Sequence, residues 1–181
     1  SNKLVIFTKK NIENYLGVFS INYLILNGEN SPFISLWFHG IFYYLDVIFL
    51  LIGLYVLFKN HKKLFVLFLS IIIIAPLPSI VSLVGISYSI RASLMFPVMM
   101  IIIGIGIAHT IASFKLIKYR IIFSICIVSA YLILLLNFLN ILFFRNPIYA
   151  SETFGFSGRE LMQYVLFAEK ENNQVVIVDS P

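Results

Sequence analysis

The sequence predicts an all-α polytopic membrane protein with four transmembrane helices and an outer re-entrant loop, followed by the start of a small outer α/β domain. Of its 181 residues, 60% are apolar and 12% are charged, and the mean hydropathy is +0.97. A soluble domain is about half apolar and about a quarter charged. The apolar residues form long blocks, and most basic residues lie between the blocks. This pattern excludes a water-soluble enzyme, a disordered chain and a nucleic-acid-binding protein.

Four apolar blocks are each long enough to cross a bilayer, which requires roughly 20 apolar residues in a helix. Three of the blocks contain no Asp, Glu, Lys or Arg, and the first, Phe33 to Phe58, is interrupted only by Asp46. Within a transmembrane region at 31–145, they predict helices over about 34–58, 64–86, 92–114 and 121–144.

The basic residues between the blocks predict an orientation. Residues 59–63 and 115–120 each carry three Lys or Arg, and these two loops share one side if all four helices span. The positive-inside rule places both loops in the cytoplasm and Arg91 and Arg145 outside. We therefore expect a multi-pass protein of the cell membrane, with an extracytoplasmic C-terminal segment.

Pro76 and Pro78 interrupt the second block. Proline removes a backbone donor and disfavours helix in the residue before it, so this helix is expected to break near 76–78, close to Ala75. The following residues, 77–90, are predicted to form the re-entrant or interfacial segment. Irregular backbone at membrane depth requires protein or water to satisfy it, which indicates a water-filled cavity nearby.

The two ends of the chain differ from the middle. Residues 1–30 are predicted to be an outer interfacial segment, in which Asn11 to Leu26 forms an amphipathic helix or a connector. In residues 146–181, Ser157 and Glu160 fit a capping box that starts a helix running to about Lys170. Gln174 to Val178 is typical of a buried strand, which would begin an α/β domain truncated in this chain. The absence of an initiator Met favours a fragment.

Asp46 is the one acidic residue within the blocks, where a carboxylate must be paired, protonated or hydrated. His39 and Tyr43 precede it by seven and three residues and share its helix face. One interpretation is a hydrogen-bonded stripe that docks this helix on its neighbours. The others are a supporting role in an active cavity and direct catalysis by Asp46.

Arg91 stands alone at the outer boundary, next to Tyr88 and Ser89. Its guanidinium is suited to a phosphate, although an arginine that only marks the interface would sit there too. Gly104 and Gly106 in the third block are expected to allow close helix packing. His109 has no Cys, carboxylate or second His at ligand spacing, so no metal site is predicted.

The order of these short motifs resembles the C-terminal half of membrane glycosyltransferases of the GT-C type, namely the bacterial relatives of protein O-mannosyltransferases and of the aminoarabinose transferase that modifies lipid A. The resemblance covers nearly the whole chain. It is carried by Asn14–Leu16, Phe19, Ser20, Leu24–Glu29, Gly40, Tyr44, Asp46, Gly53, Ala75–Pro78, Ser89, Arg91, Pro97, Gly104, Asn146–Tyr149 and Phe156–Glu160. Asp46 departs from the family, whose members more often carry Glu there.

The resemblance implies transfer of a sugar from a polyprenyl-phosphate donor to an acceptor at the outer membrane face. Arg91, with Ser89 and Tyr88, would bind the donor phosphate, while Asp46, His39 and Tyr43 would line or brace the cavity. The family's catalytic Asp lies in an upstream loop, so no catalytic residue is expected in this chain. The expected partners are membrane lipid, the donor and an unidentified acceptor. No cofactor is predicted, and a role for a divalent metal stays open. The alternatives are a non-catalytic assembly or flippase-like subunit and a transporter.

Overall fold

The chain is described by a computed structural model that covers residues 3–29, 39–80, 88–151 and 155–171. These residues form helices and connecting turns and no strand. The predicted strand at 174–178 lies outside the described residues. The helices are α1 (Lys3–Val18), a π-helical turn (Asn22–Leu26), α2 (Tyr44–Asn60), α3 (Lys62–Ile74), α4 (Leu77–Ile80), α5 (Tyr88–Arg91), α6 (Met95–Ser113), α7 (Ile117–Asn140), a second π-helical turn (Ile141–Arg145), α8 (Asn146–Ala150) and α9 (Phe156–Glu171).

Helix α2 begins at Tyr44 and not near residue 34, where the apolar block predicts it. Tyr43 caps the helix in an extended conformation, and the Asp46 carboxylate accepts a hydrogen bond from its N–H at 2.8 Å. The backbone before α2 is held against the π-helical turn, because the Phe42 N–H donates to the Leu24 carbonyl oxygen at 2.8 Å. Gly40 lies so close to the Ile25 backbone that a Cβ would overlap it. Contacts with the π-helical turn, which hydropathy does not reveal, therefore set the start of α2.

Helix α3 ends at Ile74, two residues before Pro76 and close to the predicted break. The chain then turns and resumes as the short helix α4. Residues 81–87 lie outside the described part of the chain, so the re-entrant loop is described only at its two ends, by α4 and α5.

Two of the described helices are long and apolar enough to cross a membrane. They are α6 and the continuous helix Ile117–Ile148, which contains α7 and the second π-helical turn. α2 has 17 residues and α3 has 13, fewer than the roughly 20 that a span requires. The structure thus supports two of the four predicted spans. The helices in the other two blocks are shorter than predicted. The Tyr43 cap starts α2 inside its apolar block, and α3 ends inside its block just before Pro76.

α2 packs most extensively against α6, and the two helices run parallel. Their N-terminal ends meet where the rings of Phe42 and Phe96 lie 6.1 Å apart. Farther along, a Cβ on Gly53 would overlap the Ile102 carbonyl, and a Cβ on Gly106 would overlap the Phe49 carbonyl. The close approach predicted at Gly106 is confirmed. At Gly104 it is wrong, because that residue faces open space.

α7 runs antiparallel to α2. The ring of His39 lies against Phe138, the Tyr43 hydroxyl donates to the Leu134 carbonyl oxygen, and the Tyr131 hydroxyl donates to Asp46. The loops at 59–63 and 115–120 consequently lie at one end of the helices, which we call the basic end. Arg91 precedes the start of α6 and lies at the opposite end.

α1 and the first π-helical turn gather at that opposite end. The Tyr15 hydroxyl of α1 donates to the Ile73 carbonyl oxygen at 2.9 Å, near the end of α3. The amphipathic helix expected over Asn11 to Leu26 starts earlier, as α1, and is interrupted after Val18 before the π-helical turn. The helix expected from Ser157 is present as α9, with Ser157 inside its first turn.

Candidate functional site: a buried carboxylate and a lone arginine

Asp46 lies in the first turn of α2 and is only 4% exposed. One carboxylate oxygen, Oδ2, accepts the Tyr43 backbone N–H at 2.8 Å, and the other, Oδ1, accepts the Tyr131 hydroxyl of α7 at 2.5 Å. Both oxygens are therefore engaged, one by its own helix and one by a neighbouring helix.

This arrangement explains how an acidic side chain is tolerated in an apolar block. A buried charge is costly unless donors replace the water that it loses. Hydrogen bonds to a carboxylate are about twice as strong as neutral ones, and the N-terminal turn of a helix favours negative charge. Asp46 has both kinds of support.

Tyr43 and His39 extend the cluster along the same side of α7. The Tyr43 hydroxyl donates to the Leu134 carbonyl oxygen at 3.2 Å. Burial and the nearby Asp46 carboxylate raise the pKa of this phenol, which precedes α2, above its usual value. The His39 ring packs edge-on against Tyr43 and Phe138, with centroid distances of 5.3 Å in both cases.

The two His39 ring nitrogens differ in their surroundings. Nδ1 lies 2.6 Å from the Gly40 carbonyl oxygen, to which it donates when it carries the proton. Nε2 is buried and has no hydrogen-bond partner among the described residues. In that tautomer the ring is neutral, with its accepting nitrogen in an aromatic environment.

The structure brings His39, Tyr43 and Asp46 together, but not on one helix face as predicted, because His39 and Tyr43 precede the start of α2. Their contacts are those of a hydrogen-bonded stripe that docks α2 on α7. Tyr131 completes the cluster and was missed by sequence reasoning. It lies 85 positions from Asp46, and a single Tyr in an apolar block carries no signal of its partner.

A small cavity adjoins Asp46 on the side away from α7. It has a volume of about 180 Å³, and apolar residues of the π-helical turn, α2 and α6 line it, among them Leu24, Leu50 and Met99. Among the described residues of its lining, Asp46 is the one that carries a charge, and the others are apolar. The cavity is therefore chiefly an apolar space.

Arg91 forms the end of α5 and is partly buried, and Ala92 directly after it is fully buried. Within the described residues, no acidic side chain forms an ion pair with it. Tyr88 and Ser89 belong to the same helical turn as Arg91. The hydrogen bonds of Asp46 come from Tyr43 and Tyr131 and not from Arg91, so the two candidate regions are separate in their contacts.

The described residues contain no group of three or more His, Cys, Asp or Glu side chains that could hold a metal ion. Comparison of the chain with protein-family models, with curated proteins and with solved structures gives no match.

Proposed function

We propose that the chain is the C-terminal membrane portion of a glycosyltransferase, which moves a sugar from a polyprenyl-phosphate donor to an acceptor at the outer face of the membrane. The observation that carries the proposal is the position of Arg91. It lies at the end of α5, just before α6 and at the end of the helices opposite both basic loops, and it has no acidic partner among the described residues.

An arginine in this place is suited to a lipid-linked phosphate. Its guanidinium stays charged at any relevant pH and offers a fork of donors that matches phosphate oxygens. A group at the membrane boundary can reach a phosphate whose isoprenoid chain lies in the lipid. At this boundary, Arg91 would bind the donor phosphate together with Tyr88 and Ser89. It would also stabilise the phosphate that leaves when the sugar is transferred.

The Asp46 cluster has a supporting role in this proposal. His39, Tyr43 and Asp46 hold the start of α2 against α7, at the end of the molecule where Arg91 lies. With both oxygens occupied, Asp46 is poorly placed to act as a base. It braces the cavity wall and does not touch the reacting atoms.

The proposal includes a multi-pass topology. The most apolar stretch of the continuous helix Ile117–Ile148 is only 6% buried within the protein, and large apolar side chains on α2 and α3 are also exposed, including Leu51, Tyr55 and Val66. Apolar surface on this scale favours lipid as its surroundings. In this arrangement the basic end is cytoplasmic and the C-terminal segment is extracytoplasmic.

The test replaces Arg91 in the whole protein and measures sugar transfer from a polyprenyl-phosphate donor. Arg91→Ala is expected to lower turnover at least about 100-fold, the usual effect of removing a group that stabilises developing charge. Arg91→Lys keeps the charge but loses the forked arrangement of donors, so its turnover should lie between that of the wild-type protein and that of Arg91→Ala. Arg145→Ala is the matched control, since Arg145 is an exposed arginine expected on the same side. Unchanged turnover in Arg91→Ala would contradict the proposal.

A second function is favoured by the Asp46 cluster itself. Its hydrogen bonds serve helix docking, which is what a non-catalytic assembly or flippase-like subunit requires of its polar residues. In that case, Asp46 and Tyr131 variants would lower stability, and no Arg91 variant would change a transfer reaction.

A further inference from the structure

We infer that the basic end of the molecule is a binding surface for anionic phospholipid headgroups. The inference rests on the membrane part of the proposed function and is independent of the transferase part. It concerns the loops at residues 59–63 and 115–120, at the opposite end from Arg91.

Charge is strongly concentrated at this end. The two loops hold six of the 13 Lys and Arg residues and none of the eight Asp and Glu residues. All six side chains are exposed. The parallel packing of α2 and α6, with α7 antiparallel to them, brings the two loops to the same end, although they lie more than 50 positions apart in the chain.

Local contacts hold parts of this surface in place. The Arg120 guanidinium donates to the carbonyl oxygens of Ala112 and Phe114 at 3.3 and 3.4 Å, which fixes it across the α6–α7 turn. The Lys59 ammonium lies 5.9 Å from the centre of the Tyr55 ring. The positive charges are thus presented by ordered helix ends.

Apolar side chains interleave with the charges and favour a lipid surface over a soluble anion. Phe58 is 57% exposed, Leu116 62% and Ile117 73%. A surface that combines basic residues with exposed apolar ones attracts anionic headgroups and inserts its apolar side chains beneath them. A site for free phosphate or for a nucleic acid does not need these apolar groups.

The test measures lipid preference by native mass spectrometry of the full chain, released from micelles that contain equal amounts of phosphatidylglycerol and phosphatidylcholine with the same acyl chains. The wild-type chain should retain phosphatidylglycerol preferentially. Two variants each remove three charges: Lys59→Gln/Lys62→Gln/Lys63→Gln and Lys115→Gln/Lys118→Gln/Arg120→Gln. Each should lower this preference at least about tenfold, since every basic residue at an anionic surface adds to the attraction.

The matched control is Lys3→Gln/Lys9→Gln/Lys10→Gln on α1, which removes the same charge from exposed side chains elsewhere. It should keep the preference. An equal loss in this control would mean that the preference does not depend on the basic end and would overturn the inference. Displacement of phosphatidylglycerol by inorganic phosphate or by RNA, added at the same total charge, would also overturn the inference, because it would favour a soluble anion as the ligand. Resistance of the chain to carbonate extraction separately tests the membrane assignment.

Discussion

α2 is held to its two neighbours by different kinds of contact. Against α6, it packs through glycines, with Gly53 and Gly106 each directly beneath a carbonyl of the other helix. Against α7, it is held by hydrogen bonds of Tyr43 and Asp46 to a carbonyl and a hydroxyl of that helix. The first interface depends on the absence of side-chain atoms. The second depends on the presence of particular polar atoms.

These two kinds of contact determine which substitutions each interface can tolerate. A close-packed contact between helix backbones is damaged by any added atom, even a methyl group. A hydrogen-bonded contact is damaged by removal of one partner, because the remaining donor or acceptor is buried without compensation. Three substitutions test this contrast.

Asp46→Ala should be the most destabilising. It removes the acceptor for the Tyr43 N–H and for the Tyr131 hydroxyl together, and hydrogen bonds to a charged group contribute roughly 1.5–3 kcal/mol each. We expect a loss of about 3 kcal/mol or more in the free energy of unfolding, measured by denaturant titration in micelles. Asp46→Asn keeps one accepting oxygen and should lose less. Equal losses in the two variants would mean that the hydrogen bonds are not the cause.

Gly106→Ala should lower the free energy of unfolding by about 1–3 kcal/mol, the usual effect of overpacking. Its methyl group would meet the Phe49 carbonyl, which belongs to the backbone and cannot rotate away. Gly104→Ala is the control, because it lies two residues away on the same helix and faces open space. Alanine favours helix over glycine, so the control should be neutral or slightly stabilised. A stabilised Gly106→Ala would contradict the glycine-mediated contact.

Tyr131→Phe should be the mildest of the three, with a loss of roughly 1.5 kcal/mol from one hydrogen bond to a charged group. Tyr119→Phe, at an exposed tyrosine of the same helix, should cost almost nothing. In a double-mutant cycle, Tyr131→Phe should have little further effect once Asp46 is Ala. Full additivity of the two substitutions would show that this hydrogen bond does not link the helices.

Local signals predicted the features that depend on a few neighbouring residues. The break near Pro76 follows from the missing backbone donor of proline. Helix periodicity, in contrast, does not account for the cluster of His39, Tyr43 and Asp46, because α2 begins only at Tyr44. The all-helical character of the described residues follows from the long apolar blocks, although the strand predicted at 174–178 lies outside those residues.

Features set by distant parts of the chain could not be predicted in this way. The start of α2 depends on contacts of Gly40 and Phe42 with the π-helical turn, and hydropathy treats those residues as part of one continuous span. The partner of Asp46 lies on a helix whose register against α2 is not encoded in any local motif. Gly104 and Gly106 are equivalent in sequence, yet only Gly106 faces α2.

The continuous helix Ile117–Ile148 has 32 residues, which at 1.5 Å per residue makes it about 48 Å long. A bilayer's hydrocarbon core is about 30 Å thick. Even at a tilt of about 40°, the upper end of the usual range, such a rod rises about 37 Å along the membrane normal. In a bilayer, a helix of this length therefore projects at least about 7 Å beyond the hydrocarbon core, divided between its two ends.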